Sequence, residues 1–172
     1  MSAHAIHLLT PHEAWARRDS LIDLLVDSVE GGASVNFVWP MTRAKAEAWW
    51  DGTLASHTRG ERLIFTAEAG DRIDGTVQLI PAPQENQAFR SDIAKMLVHR
   101  RARRRGVGAL LLQAAEHAAS ANRKTVLVLD TASHEAARLY ARAGWQRCGT
   151  IPNYALLPDG AFCDTVVFYK LL

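Results

Sequence analysis

The stretch best equipped for chemistry runs from Met96 to Leu112, reading Met-Leu-Val-His-Arg-Arg-Ala-Arg-Arg-Arg-Gly-Val-Gly-Ala-Leu-Leu-Leu. An apolar run stops at Val98, a basic loop follows, and Gly106 and Gly108 open a second apolar run at helical spacing. A strand, a glycine-bearing loop and a helix start, in that order, leave free backbone N–H groups facing a ligand, and the helix dipole favours a negative one. Glycine removes the Cβ that would hold the backbone away from phosphates. The chemistry implied is pyrophosphate binding. A Walker loop is excluded, because neither Lys-Ser nor Lys-Thr follows the glycines, and Leu111 occupies the third glycine position of a dinucleotide fingerprint.

Two carboxylates stand where they could serve such a site. Asp130 directly follows Thr-Val-Leu-Val-Leu, an apolar run ending at Leu129, and α/β sheets collect ligands at the C-terminal ends of their strands. Asp92 opens the run that leads into the basic loop. Each could accept a proton or hold a cation, and each could equally cap a turn. Other reactive residue types lack a supporting pattern. The seven histidines form no His-Glu-x-x-His, so no metal is expected, and Ser34 lacks the Gly-x-Ser-x-Gly of a nucleophile elbow. Cys148 and Cys163 form no Cys-x-x-Cys and are expected as reduced thiols. Trp39, Trp49 and Trp50 are expected to pack in the core, with substrate contact as the alternative.

The surrounding elements must position these groups. A short strand is expected from Ala5 to Leu9. Thr10, Pro11 and Glu13 form a capping-box start to a helix that buries Leu21, Leu24, Leu25 and Val29 and stops at Gly31-Gly32. A second helix follows Thr42 and runs toward Gly60. Arg62 to Ala69 and Thr76 to Ile80 read as a hairpin joined through Gly70–Gly75, and Ile93 to Val98 as the next strand. The helix from Gly106 ends near Asn122, and Thr125 to Leu129 reads as a strand buried on both faces. Ser133 caps a helix from Glu135 to Ala143 that Gly144 ends. Trp145 to Gly149 and Thr165 to Lys170 form the last strands, joined by a loop holding Pro152 and Pro158. The order is β-α-α-β-β-β-α-β-α-β-β, a mixed α/β chain.

At 172 residues, a single domain spanning 1–172 is expected, with enough apolar content (48%) for a substantial core. The net charge of +2 is too small for a nucleic-acid protein, and the five arginines between His99 and Gly106 lack a second basic stripe or aromatic platform. No apolar run reaches the ~18–20 residues of a membrane span, and no signal-peptide core is visible at the start. The expectation is a cytoplasmic protein that engages neither nucleic acid nor membrane.

The motif Arg103-x-x-Gly106-x-Gly108, preceded by Val98-His99 and followed by Leu110-Leu111, resembles the signature of the GNAT superfamily of acyl-CoA-dependent N-acetyltransferases. The element order is similar to that family along the whole chain. The resemblance implies a mostly antiparallel sheet with helices on both faces and a splayed parallel strand pair that admits acetyl-CoA. It implies that backbone groups of Met96, Leu97 and Val98 meet the thioester and pantetheine, while Arg103, Arg104, Arg105, Gly106, Val107 and Gly108 cradle the phosphates. Ser133, where the family often has asparagine, is a further contact to the cofactor arm. Tyr140, in Leu139-Tyr140 ahead of Ala143-Gly144-Trp145, is implied as the acid that protonates the leaving thiolate, with Asp130 or Asp92 as the base. The reading is an enzyme that moves acetyl from acetyl-CoA directly to a small-molecule amine, and a homodimer is a further implication. The alternatives are a protein or peptide N-acetyltransferase and a non-catalytic acyl-CoA sensor.

Overall fold

The computed structural model describes residues 4–172. Its elements are β1 (Ala5–Leu8), α1 (Pro11–Ala16), α2 (Arg18–Glu30), α3 (Arg43–Thr58), β2 (Leu63–Ala69), β3 (Arg72–Pro81), β4 (Arg90–Val98), α4 (Val107–Ala121), β5 (Val126–Thr131), α5 (His134–Arg142), β6 (Gln146–Leu156) and β7 (Phe162–Leu171). One seven-stranded sheet has the order β1-β2-β3-β4-β5-β7-β6. Each neighbouring pair is antiparallel except β4 with β5, the pair joined through α4.

Helices cover both faces. One core holds Phe65, Val77, Leu79, Ile93, Leu127 and Leu129 against Val107, Leu111, Leu112 and Ala115 of α4, with Tyr140 and Trp145 beside them. The other packs Leu21, Leu24 and Leu25 of α2 and Trp50 and Leu54 of α3 onto Ile64, Ile73 and Leu97. Side chains alternate across a strand, so Leu127 and Leu129 enter the α4 core while Val128 and Asp130 face the other way. The expectation that this strand is buried on both faces fails for that reason: Val128 is only half-buried and Asp130 is exposed.

Several boundaries differ from the pattern reading. The first helix is two, interrupted at Arg17, which leaves helical geometry (φ −99°, ψ 8°) and donates from Nε to Glu68 at 2.9 Å. Its capping box at Thr10 and Glu13 is formed. The β2–β3 connection is a tight turn at Gly70-Asp71, not a loop to Gly75, so Asp74 and Gly75 lie within β3. The requirement at Gly75 is steric. A Cβ there would stand 2.9 Å from Leu111 Cδ1 and 3.0 Å from both Leu97 O and Val107 Cγ1, so this glycine lets the start of α4 settle onto the sheet. β6 runs through Pro152, which the edge strand accommodates where its register shifts between Ile151 and Ala155.

Candidate active site

Strands β4 and β5 pair over three positions only, Arg90 with Val126, Ser91 with Leu127 and Asp92 with Val128. Beyond that rung the strands separate, and the side of β4 that faces β5 has no strand to pair with. The N–H of His99 bonds Asp74 O on β3 at 2.9 Å, and successive residues address alternate neighbours, so Met96 and Val98 turn their backbone groups to the opening and Leu97 turns its own to β3. Of the three residues expected to meet the cofactor arm, Leu97 is therefore directed away, and its side chain is buried beneath α2. Lys95 and Met96 together oppose Val77, a bulge in which Lys95 adopts φ 50°.

The basic loop ends at α4, whose N-cap Gly106 (φ 79°) supplies no side-chain cap. The N–H groups of Ala109 and Leu110 bond Gly106 O, so those of Val107 and Gly108 lack an acceptor within the helix and point outward from its positive end. Gly108 also lets α5 approach, since a Cβ would meet Leu139 Cδ2 at 3.1 Å.

The arginines before this helix divide into two groups. Arg100 donates through N and Nε to Asp27 (2.9 and 2.8 Å), and Arg101 through Nε to Asp74 (2.6 Å). Arg103 donates through Nε to Val98 O (3.2 Å), so it braces the end of β4 where a phosphate contact was expected. Arg104 and Arg105 are exposed and form no ion pair among the described residues. They and the free N–H groups of α4 are an anion-binding set that fits a pyrophosphate. Ser133 caps α5 as its position in the sequence predicts, its hydroxyl accepting from Ala136 N at 3.2 Å.

Across the opening, Tyr140 is packed between Trp145 and Phe168, each ring centroid 5.9 Å away. Burial, reinforced by the charge of Asp130, holds its hydroxyl well above the usual tyrosine range, so it keeps its proton. Asp130 accepts from Thr165 Oγ1 at 2.7 Å. Asp92 is ion-paired with Arg90. Burial raises its carboxyl above the ordinary value against the opposing pull of Arg90, and the charge of Asp130 adds to the rise. Sheet topology thus brings the two carboxylates to either side of the point where the strands part.

The residues 60–147 match the family model described as an acetyltransferase (GNAT) domain. The chain belongs to the GNAT acetyltransferase family. Solved GNAT structures share its fold. Ribosomal-protein-alanine N-acetyltransferase from Brucella melitensis superposes with a TM-score of 0.78 at 23% identity, covering 98% of this chain and 99% of that one. The yncA protein of Salmonella typhimurium, solved with its cofactor acetyl-CoA, gives 0.75 at 18% identity over 99% and 95%. A phosphinothricin acetyltransferase from Sinorhizobium meliloti in complex with acetyl-CoA gives 0.81 at 15% identity over 99% and 89%.

As a GNAT acetyltransferase, this chain is an acetyl-CoA-dependent enzyme, and the separated β4–β5 pair is the architecture that the motif implied. The pattern of residue types singled out none of Lys95, Asn36 and Arg62, on the α3 side of the opening. There Lys95, Asn36, Trp49 and Arg62 converge from β4, the α2–α3 loop, α3 and the approach to β2. One signal was available: Lys95 is a lone charge inside the apolar run from Ile93 to Val98. No described helix is long and apolar enough to cross a membrane.

Proposed function

We propose that residues 1–172 act as one catalytic domain that acetylates an amine of a small molecule by direct transfer in the cytoplasm. Tyr140 is the proton donor to the departing thiolate. Asp130 accepts the proton released by the amine. One oxygen of Asp130 is engaged by Thr165, whereas the Arg90 guanidinium occupies Asp92 and stands in the way of an approaching ammonium. Asp92 then holds an electrostatic role. The free N–H groups of α4, with Arg104 and Arg105, hold the cofactor phosphates, and the backbones of Met96 and Val98 receive its arm.

The observation that carries a small acceptor is the α2–α3 loop. Ser34 Oγ donates to Leu156 O at 3.0 Å and Trp39 N to Pro158 O at 2.8 Å, while Asn36 Oδ1 accepts from Lys95 Nζ at 3.0 Å. The loop is thus tied both to β4 and to the β6–β7 end, spanning the side of the sheet where Asp130 lies. A span of this kind leaves room for a compact amine and hinders a folded protein chain. Four sequence patches support the same reading. Gly31–Val35, Lys95–Val98, Leu129–Thr131 and Pro158–Gly160 resemble the tabtoxin resistance protein, a small-molecule N-acetyltransferase.

The test is competition between acceptors, with CoA thiol release measured on panels of small amines and of peptides bearing free N-termini or lysines. A preference for small amines is expected. A preference of about tenfold or more for peptides, equivalent to ~1.4 kcal/mol in transition-state binding, overturns the proposal.

A further inference from the structure

The α3 face of the sheet, beside the opening, carries five charged side chains: Arg62, Arg90, Asp92, Lys95 and Asp130. Arg90 and Asp92 satisfy each other. The other two cations are partnered only by neutral groups. Lys95 Nζ donates to Asn36 Oδ1 and lies 5.5 Å from the centroid of Trp49. Arg62 donates through Nε to Ser56 Oγ at 2.9 Å and through Nη1 to Gln78 Oε1 at 2.8 Å. Glu61, next to Arg62 in sequence, is held by both guanidinium nitrogens of Arg59, at 2.7 and 2.8 Å, and by Ser56.

Three half-buried cations elsewhere are neutralised directly, while Lys124 is held by the backbone carbonyl of Ala88. Arg17 meets Glu68 at 2.9 Å, Arg18 meets Asp51 at 2.5 Å and Lys170 meets Glu116 at 2.7 Å. A half-buried cation without a carboxylate partner is costly, because desolvation is not returned as Coulomb energy. Burial lowers the basicity of Lys95, the charge of Asp130 works the other way, and Arg62 adds to the lowering. The acceptor floor therefore holds two under-compensated positive charges with one carboxylate, Asp130, at their side. An incoming anion relieves that imbalance, and an incoming ammonium is drawn to Asp130.

Resting on the small-amine reading above, we infer that the acceptor is an amine that also bears a carboxylate, an amino-acid-like zwitterion. Lys95 receives the carboxylate, with Arg62 behind it, and Asp130 receives the ammonium. Lys95 is thereby a specificity-determining residue. It selects the acceptor and takes no part in proton transfer. In the transfer, the ammonium gives one proton to Asp130, the freed amine nitrogen bonds the acetyl carbon and the carbon–sulfur bond breaks. Tyr140 protonates the departing sulfur, so CoA leaves as the thiol, and the second proton lost by the nitrogen restores Tyr140.

The experiment compares matched triads built on alanine, glutamate and lysine: the free acid, its α-carboxamide and the α-decarboxylated amine, alongside a peptide panel. CoA release is measured for the wild type, Lys95→Gln and Lys95→Arg. The wild type is expected to favour the free acid by about tenfold or more in kcat/KM, with the difference in KM. Lys95→Gln should bring the members of a triad within about twofold, and Lys95→Arg should restore the preference. Equal turnover of acid and decarboxylated amine overturns the inference and leaves the small-amine reading standing. So does a preference that survives in Lys95→Gln. Absence of turnover with every free acid likewise overturns it, and turnover of peptides alone overturns both readings.

Discussion

At the end of β4 and the start of α4, the groups on offer are main-chain ones, those of Met96 and the N–H of Val98, Val107 and Gly108, held in place by close packing at Gly75 and Gly108. Around the rest of the opening they are side chains, Asp92, Lys95, Asp130 and Tyr140, brought in from three elements. Backbone recognition tolerates many side chains provided the path of the chain is kept, so it reads out a common cofactor. Side-chain recognition changes with each substitution, so it can select one acceptor. The comparison suggests that the cofactor half should break through geometry and the acceptor half through chemistry.

The largest effect is expected at Tyr140. Tyr140→Phe keeps the ring between Trp145 and Phe168 and removes only the hydroxyl, so melting temperature and acetyl-CoA affinity should hold. Turnover should fall by about 10²-fold, the low end for a general acid, because a thiolate leaves readily. Full turnover with chemistry rate-limiting would make Tyr140 a packing residue. In the same assay Asp130→Asn should flatten the acidic limb of the pH–rate profile and Asp92→Asn should not; the opposite pattern exchanges their roles.

Gly75→Ala probes the cofactor half without touching any group that meets a ligand. Its Cβ meets two side chains and a carbonyl at 2.9–3.0 Å. Overpacking of this kind costs about 1–3 kcal/mol, so thermal unfolding should show a clear drop in melting temperature together with weaker acetyl-CoA binding. A variant with normal stability would mean that α4 moves freely, and the geometric account of that wall would fail.

Gly106→Asp separates helix stability from ligand binding. Aspartate tolerates the left-handed geometry better than most residues and is a good N-cap, so α4 should persist. Its carboxylate repels the pyrophosphate, and affinity should weaken about tenfold or more, ~1.4 kcal/mol. Unchanged affinity by calorimetry in a folded variant would remove this turn from the phosphate site.

The smallest effect concerns Asp27, which anchors Arg100 and so the path of the basic loop. Burial works to raise its carboxyl, but bonds from the Arg100 backbone and guanidinium and the charge of His99 bring it below the ordinary carboxylate value. A lowered folded-state value means that its stabilisation is present above the unfolded value, about 3.9, and is lost as pH falls through the folded one. Asp27→Asn should lower the melting temperature at pH 7 by about 2–4 °C, roughly 1 kcal/mol. Scans at pH 3 should bring the two proteins together. A gap that persists in acid would assign the loss to packing and not to charge. Arg100→Ala should mirror it at neutral pH, since its guanidinium is part of this anchor as well as solvated.

Much of this molecule was legible in its chain. Thr10-Pro11-x-Glu13, Thr42 and Ser133 announce helix starts because capping depends on neighbours within a few residues. The glycine turn before α4 is legible for the same reason, since strand, glycine and helix N-terminus are contiguous. Local rules failed at Gly75 and at β5, the strand that carries Asp130. Gly75 looks like a turn residue in sequence, and its actual role is set by Leu111 and Val107, which are remote along the chain. The strand is apolar throughout, and only the sheet order shows that α4 covers one of its faces while the other borders the opening.

Sequence by itself determined most of the element order, the glycine turn before α4 and the family, since each is encoded in contiguous residues. Tertiary structure alone decided which arginines remain available, that Leu97 faces β3, and that Lys95 and Arg62 share one face of the sheet with Asp130. These are matters of long-range pairing and desolvation. A charge acquires its role from what surrounds it in space, and residues 62, 95 and 130 become neighbours only when the sheet assembles.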